Sequence, residues 1–356
     1  MSASTITPSA RTTREQSASL AEAVERDPGT FRMLTGDRPT GPLHLGHYFG
    51  SLENRVRLQD AGTDLLVLIA DYQALTDRSA SAGLPEIVIG LVADYLAVGI
   101  DPDRSIIFAH SQVEPLNQLL LPFLSLVSVA EIGRNPTVKD EVAASGSTAI
   151  SGLMFTYPVH QAADILSCRA TVVPVGLDQL PHLELTRTIA RRFNERYCPD
   201  EPLFPVPQAL LGDAPLLLGT DGQKMSKSRG NSVPIRATAD ETARLIARAK
   251  TDVERVISYE PERRPEVSNL VLLAALCRGC DPRQVADEVA GGGAAVLKAA
   301  VTEAVNDRFA GIRARRAELA ADTGYLRSVL AAGNERARFV ASDTLRTVRE
   351  LMHQHY

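Results

Sequence analysis

Apolar and polar positions along the chain fall into two regimes. Up to about residue 235, short apolar runs alternate with stretches of helical spacing. FRML (31–34), DLLVLIAD (64–71), SIIFAHS (105–111) and ATVVPVG (170–176) are compact apolar runs suited to buried strands. HYFGSLENRVRLQD, which follows the first run, sets Phe49, Leu52, Val56 and Leu58 at helical intervals. EIVIGLVADYLAVGI (86–100), PLNQLLLPFLSLV (115–127), GLMFTYPVHQAADILS (152–167) and QLPHLELTRTIARRFNERY (179–197) also read as helices. This alternation predicts a doubly wound α/β domain with a mostly parallel sheet. Beyond residue 235 only helices are expected, punctuated by YEPERRPEV and a GGG break (291–293), which makes an all-helical second domain. No internal repeat is visible.

In doubly wound sheets, ligands bind outside the carboxyl ends of the strands. Three segments fall there and can converge on one crevice: PTGPLHLGH, the end of ADYQALTD, and the VGLDQ turn. The first carries His44 and His47 where a strand hands over to a helix. A helix start offers unpaired N–H groups and the positive end of a dipole, which suits phosphate. Gly41 and Gly46 leave room for a ligand to approach. An isolated pair of histidines there could equally be caps or surface residues. GTDGQKMSKSRGN (219–231) is a loop by composition, with almost nothing to bury. Its Lys224 and Lys227, spaced i, i+3 and interleaved with Ser226 and Ser228, could clamp polyphosphate oxygens and steady a leaving pyrophosphate.

Composition narrows the setting. The chain has 356 residues, 44% of them hydrophobic, and no apolar run of membrane-spanning length, so no membrane span is expected. The N-terminus lacks the apolar core of a secretory signal, and its Ser/Thr/Ala richness predicts a disordered extension over residues 1–30. Four cysteines, Cys168, Cys198, Cys277 and Cys280, are too few for a disulfide scaffold and fit a reducing, cytoplasmic setting. Cys277 and Cys280 form a lone CxxC without a second pair, so no metal is expected. A net charge of −5 gives no global attraction to nucleic acid. A nucleic-acid partner would need a local basic surface. Arg313, Arg315 and Arg316, with Arg336, Arg338, Arg346 and Arg349 on the last helices, are the candidates.

PTGPLHLGH and KMSKS together resemble the paired signatures of class I aminoacyl-tRNA synthetases. The closer likeness, over about residues 31–352, is to the tryptophanyl-tRNA synthetases, through TGDRPTGPLHLGHYFGSL, RNPTVK, YPVHQAADIL, VPVGLDQLPHLELTRTIARRFN and KMSKS. The resemblance implies a Rossmann-like catalytic domain (31–222), a mobile KMSKS loop (223–234) and a helical tRNA anticodon-binding region (235–356) whose last helices pack back on the catalytic domain. It implies activation of L-tryptophan by ATP with Mg²⁺, transfer to tRNA(Trp), and a homodimer. His44, His47, Lys224 and Lys227 match the catalytic positions. Arg38, Pro39, Thr40 and Gly46 match ATP contacts, as do Gly176, Leu177 and Asp178 at the ribose, Leu216 at the adenine, and Met225, Ser226 and Ser228 in the loop. Asp164 matches the carboxylate that accepts the indole N–H. Such an acceptor rejects side chains lacking the donor by roughly 10⁴-fold or more. Tyr157 and Gln179 match positions near the substrate ammonium and carboxylate, and Gly36, Gln73 and Gln161 line the amino-acid pocket.

Some positions depart from the family pattern. Leu177 replaces an acid, and Arg38 stands where glutamine is common. Gln73 and Gln161 replace a histidine and a methionine of the common bacterial form. These changes resemble divergent, auxiliary bacterial enzymes, some of which tolerate tryptophan-mimicking antibiotics. Two alternatives stay open on sequence alone: a tyrosyl-type synthetase, and a non-charging paralogue that senses tryptophan.

Overall fold

The computed structural model describes residues 8–75, 83–136, 151–212, 216–227, 229–354 and 356, without the side chains of residues 8–13 and Asp178. Five parallel strands form one sheet in the order β3-β2-β1-β4-β5. They are β1 (Arg32–Asp37), β2 (Asp64–Ile69), β3 (Ile106–Ala109), β4 (Val172–Val175) and β5 (Gln208–Leu211). Side chains of β2 alternate between the two faces, as the pleat requires. Leu65, Val67 and Ile69 join one apolar cluster, and Leu66 and Leu68 the other.

Twelve helices matter for the argument: α1 (Pro8–Arg26), α2 (Leu45–His47), α3 (Glu53–Ala61), α4 (Leu84–Val98), α5 (Glu114–Gln118), α6 (Gly152–Ser167), α7 (Leu180–Tyr197), α8 (Ala239–Ala247), α9 (Pro265–Arg278), α10 (Pro282–Val289), α11 (Gly293–Ala321) and α12 (Thr323–Leu351). Proline opens α4, α7, α9 and α10, where its missing N–H has no partner to lose. The first cluster runs without a break from Met33 and Val67 in the sheet through Leu91 of α4 to Val271 of α9 and Phe309 of α11. The helical C-terminal part therefore shares a core with the sheet.

The sequence reading and the structure differ at four places. Strand β1 continues through Thr35 and Gly36 to Asp37, three residues beyond the apolar run FRML. The expected helix over 115–127 is broken into Glu114–Gln118 and Leu120–Leu124. Strand β5 was not anticipated: QALL is only four residues long and follows a proline-rich stretch. The fourth difference is the N-terminal extension. Residues 8–26 are helical rather than disordered, because Leu20 and Val24 share a helix face and are buried at 5% and 1% exposure.

Helices cover both sheet edges. At β3, Asn334 Oδ1 of α12 accepts the Ala109 N–H at 2.9 Å. The neighbouring Gly333 permits this approach, since a Cβ there would lie 1.8 Å from the Ile107 carbonyl oxygen. At β5, Ser17 Oγ of α1 accepts the Leu211 N–H at 2.7 Å. Both contacts occupy backbone donors that an open edge would offer to another chain.

The expected tRNA-binding arginines are largely engaged inside the molecule. Arg313 donates to Asn306 and Thr242, and Arg316 pairs with the buried Asp94 of α4. Arg336 donates to the carbonyls of Pro102 and Ser105, Arg338 pairs with Glu114, and Arg349 donates to Gln118. Arg346 pairs with Asp343 and Glu350 on its own helix. Arg316, Arg336, Arg338 and Arg349 thus tie the helical part to the sheet domain, Arg313 and Arg346 bond within the helical part, and Arg315, Arg336, Arg346 and Arg349 stay exposed.

If α1 is part of the folded core, Leu20→Ala lowers stability by about 2–5 kcal/mol. Ser17→Ala, which leaves the Leu211 N–H without its partner, costs about 1–3 kcal/mol. Urea unfolding of both variants measures this; unchanged midpoints would return α1 to the status of a loose tail.

Candidate active site

A cavity of about 450 Å³ opens at the carboxyl ends of the strands. β1 delivers Gly36, Asp37 and Arg38 to it, the turn after β2 delivers Gln73, and the turn after β4 delivers Gly176 and Gln179. From α6 come Tyr157, Gln161 and Asp164, at i, i+4 and i+7, one face of a helix. His47 closes the wall.

Asp164 is 1% exposed, and its Oδ1 lies 3.3 Å from Nδ1 of His110. The Tyr72 amide donates to His110 Nε2 at 2.7 Å, so that nitrogen is unprotonated and Nδ1–H faces the carboxylate. Asp71 Oδ1 lies 3.3 Å from the same Nε2 and accepts the Ser111 amide. Asp164 Oδ2 has no hydrogen-bond partner. A buried, unsatisfied carboxylate oxygen on a cavity wall calls for a donor from a ligand. Nearby, the Tyr157 hydroxyl lies 3.2 Å from His182 Nε2, and His182 Nδ1 lies 3.2 Å from Asn135 Nδ2. Asn135, from the RNPTVK stretch, is thus buried within its own chain.

At the opposite end, the His44 N–H donates to His47 Nδ1 at 3.2 Å, and the two rings stand 3.7 Å apart. Burial first, then mutual proximity and Lys227, lowers the His44 pKa to about 3. Burial also lowers His47 to about 4, although Asp37 pulls the other way. Both rings are neutral donors near pH 7. A Cβ at Gly46 would sit 3.1 Å from the His44 ring and 3.7 Å from Met225 Cβ, so glycine keeps this corner open. Below them Asp37 accepts from Arg55 Nη1 at 2.6 Å and from the Tyr95 hydroxyl at 2.7 Å. Burial pushes Asp37 up, but Arg55 outweighs it and holds the carboxyl well below its ordinary range.

The second motif folds over the first. Leu45 N–H donates to Val233 O and Ile235 N–H to Leu43 O, both at 3.0 Å, a short antiparallel bridge across some 190 residues of sequence. Lys227 Nζ donates to Gly41 O at 2.9 Å, and burial lowers its pKa. Asn231, 2% exposed, knots the loop: it accepts the Ser226 N–H and donates to Asp221 and to Lys224 O. Met225 is buried, while the Lys224 side chain is exposed.

Of the residues expected from sequence, Gly36, Arg38, His47, Gln73, Tyr157, Gln161, Asp164, Gly176 and Gln179 line the one cavity. Arg38 O accepts the Thr40 N–H, and buried Pro39 lies between them on the way to His44. Leu216 is not brought to the cavity; its side chain is 63% exposed, beside Tyr259 and Asn269. Leu177 is 47% exposed at the rim. Ser228 and the Asp178 side chain lie outside the described residues. Missed from sequence were Asp37, Asp71 and His110, the residues just at or beyond the ends of β1, β2 and β3. Strand-end position was the signal that could have found them. Arg55, His182 and Asn231 carried no such signal.

The family model described as tRNA synthetases class I (W and Y) matches residues 26–310. The tryptophan–tRNA ligase of Streptococcus pneumoniae is 40% identical over 338 residues, covering 91% of this chain and 98% of that protein. The Treponema pallidum tryptophan–tRNA ligase is 41% identical, covering 90% and 96%. Among solved structures, tryptophanyl-tRNA synthetase from Campylobacter jejuni, complexed with ADP and tryptophan, superposes with a TM-score of 0.79 at 30% identity, covering 90% of this chain and 99% of that one.

The two lowered histidines make an acid signature. Unfolded, both imidazoles take up protons below about 6.5, whereas the folded protein holds them neutral down to about 4 and 3. The unfolded state then binds more protons, so stability falls as pH drops from 6.5 toward 4. A His44→Asn, His47→Asn variant shows a shallower loss across that window in urea titrations. Parallel slopes for both proteins would mean that neither ring is held neutral.

Proposed function

The chain belongs to the class I tRNA synthetases of the tryptophan and tyrosine group, and from that premise we propose how its cavity works. It is an ATP-dependent ligase that joins tryptophan to tRNA. Tryptophan lies with its indole against α6 and its N–H on Asp164 Oδ2, the unpartnered oxygen that carries this reading. His110 holds the opposite oxygen and fixes the carboxylate's plane. Gln179 and Tyr157 take the ammonium and carboxylate end, and Gln73 and Gln161 shape the ring pocket. Their amides alter its hydrogen bonding where a tryptophan-mimicking inhibitor would need an imidazole and a thioether, which supports tolerance of such compounds.

ATP lies across β1 and β4, its ribose at Gly176–Asp178 and its phosphates between His44, His47 and the KMSKS loop. The tryptophan carboxylate oxygen forms a bond to the α-phosphorus as the bond to the bridging oxygen of pyrophosphate breaks. Neutral His47 lends an N–H to the α-phosphate without adding a fixed charge. Lys224 and Lys227 meet the charge that gathers on the pyrophosphate, and Mg²⁺ enters as the counter-ion of ATP. No covalent nucleophile is needed; positioning and charge stabilisation supply the rate. A terminal ribose hydroxyl of tRNA(Trp) then attacks the activated carbonyl and AMP leaves. The work is cytoplasmic, beside the tRNA pool. ATP–pyrophosphate exchange with tryptophan and with tyrosine, followed by tRNA charging, tests the whole reading; exchange with tyrosine alone would overturn it.

Asp164→Ala abolishes tryptophan-dependent exchange while ATP binding is largely kept. Near-normal exchange in that variant would remove Asp164 from recognition. Lys227→Ala lowers kcat by orders of magnitude with little change in the KM for tryptophan, because the clamp acts as pyrophosphate charge develops. A loss confined to the tryptophan KM would contradict that role.

The enzyme pairs into a homodimer through the segment after β3. Leu121 and Val129 there are 75% and 73% exposed, an apolar face suited to a second copy. Sedimentation at micromolar concentration should give twice the 38.4 kDa of one chain; a single-chain mass would count against it.

A further inference from the structure

We propose that the buried cluster His110, His160 and Asp164 binds a zinc-type divalent cation, placed so that metal and indole contend for one carboxylate. One ligand atom from each residue lies within 4.8 Å of the others. His110 Nδ1 and Asp164 Oδ1 are 3.3 Å apart. That matches two donors held about 2.0–2.1 Å from a tetrahedral zinc.

Two donor atoms of the cluster have no partner: His160 Nδ1 and Asp164 Oδ2, in residues 4% and 1% exposed. The His160 ring is already oriented for a metal. Its Nε2 lies 2.8 Å from Asn117 Oδ1, and Asn117 Nδ2 donates to His110 O and Val113 O, so Asn117 presents its oxygen. The proton therefore sits on Nε2 and the free lone pair on Nδ1. Metal-binding histidines commonly show this outer acceptor. For His110 the outer acceptor is Asp71 Oδ1, 3.3 Å from Nε2. Binding asks for a change of tautomer there, from Nδ1–H to Nε2–H, and for the Tyr72 amide to give up its 2.7 Å bond to Nε2. The Tyr72 amide, which also donates to Asp71 Oδ1 at 3.2 Å, keeps a partner.

Charge points the same way. Asp71 and Asp164 face one histidine, and among the described residues neither forms an ion pair with a lysine or arginine. Two imidazole nitrogens and one carboxylate suit zinc, whereas magnesium prefers an all-oxygen octahedron, so Mg·ATP does not fill the site. The cluster borders the tryptophan cavity through Asp164, which lines it.

The functional consequence rests on Asp164 being the indole acceptor. A bound cation draws on the carboxylate electrons that the N–H needs, so zinc acts as an antagonist of tryptophan and leaves ATP untouched.

Titration of the folded enzyme with Co²⁺ should give the visible absorption of a tetrahedral site, one ion per chain, displaced by Zn²⁺. His160→Leu should abolish it, with the fold checked by thermal melting. Asn117→Ala should weaken Co²⁺ binding about ten- to a hundredfold. In pyrophosphate exchange, zinc should raise the KM for tryptophan but not for ATP, and His160→Leu should be indifferent to zinc. Absence of the tetrahedral spectrum, or the same spectrum in His160→Leu, overturns the site. A spectrum that tryptophan cannot diminish overturns the competition while the metal site stands, and Asp164 as indole acceptor falls only if Asp164→Ala keeps near-normal exchange.

Discussion

Five strands running in one direction bring all their carboxyl ends to one side of the sheet, and the chemistry follows from that single constraint. Asp37, Asp71, His110 and Gly176 stand at or just beyond the ends of β1 to β4. No long side chain has to reach across the molecule to meet them. Helix α6 then lies across the same side and adds Tyr157, Gln161 and Asp164 from one face. The cavity is a product of strand direction before it is a product of any particular residue.

Within that frame, the corner at His44 and His47 is arranged to limit fixed charge. Two histidines are kept neutral by burial, Asp37 is matched by Arg55, and Lys227 rests on a backbone carbonyl. The corner thus presents neutral ring donors beside the half-buried Lys227 ammonium, surroundings in which small electrostatic differences count most. The bridge between residues 43–45 and 233–235 sets the distance between the histidines and the lysine loop, although the two motifs are far apart in sequence.

Much of this was legible in the sequence. Strong apolar periodicity gave β2, α4, α6 and α7 to within two residues, since a fully buried element has little freedom in what it may contain. The motif residues were found because glycine, histidine and lysine are unusual where they stand. What escaped was decided by distant contacts. QALL becomes β5 only because β4 and α1 flank it, and the N-terminal stretch becomes helical because Leu20 and Val24 find a core to enter. Arg316 and Arg336 read as surface charges until their partners, Asp94 and the Pro102 carbonyl, are known. The role of Asn231 could not be read at all, since a loop asparagine shows its value only in three dimensions.

The two ends of the chain close the two edges of the sheet, and this has a bearing on how the protein is made. Ala109 emerges from the ribosome long before Asn334, which lies 225 residues later. From its own synthesis until α12 is made, β3 has an uncovered edge, because α12 supplies the Asn334 contact. The N-terminal helix, by contrast, must wait for β5. Folding is therefore completed late and from long-range contacts, which makes it slow and favours chaperone attendance on the nascent chain. A chain that stalls before α12 would leave that edge free to recruit other strands.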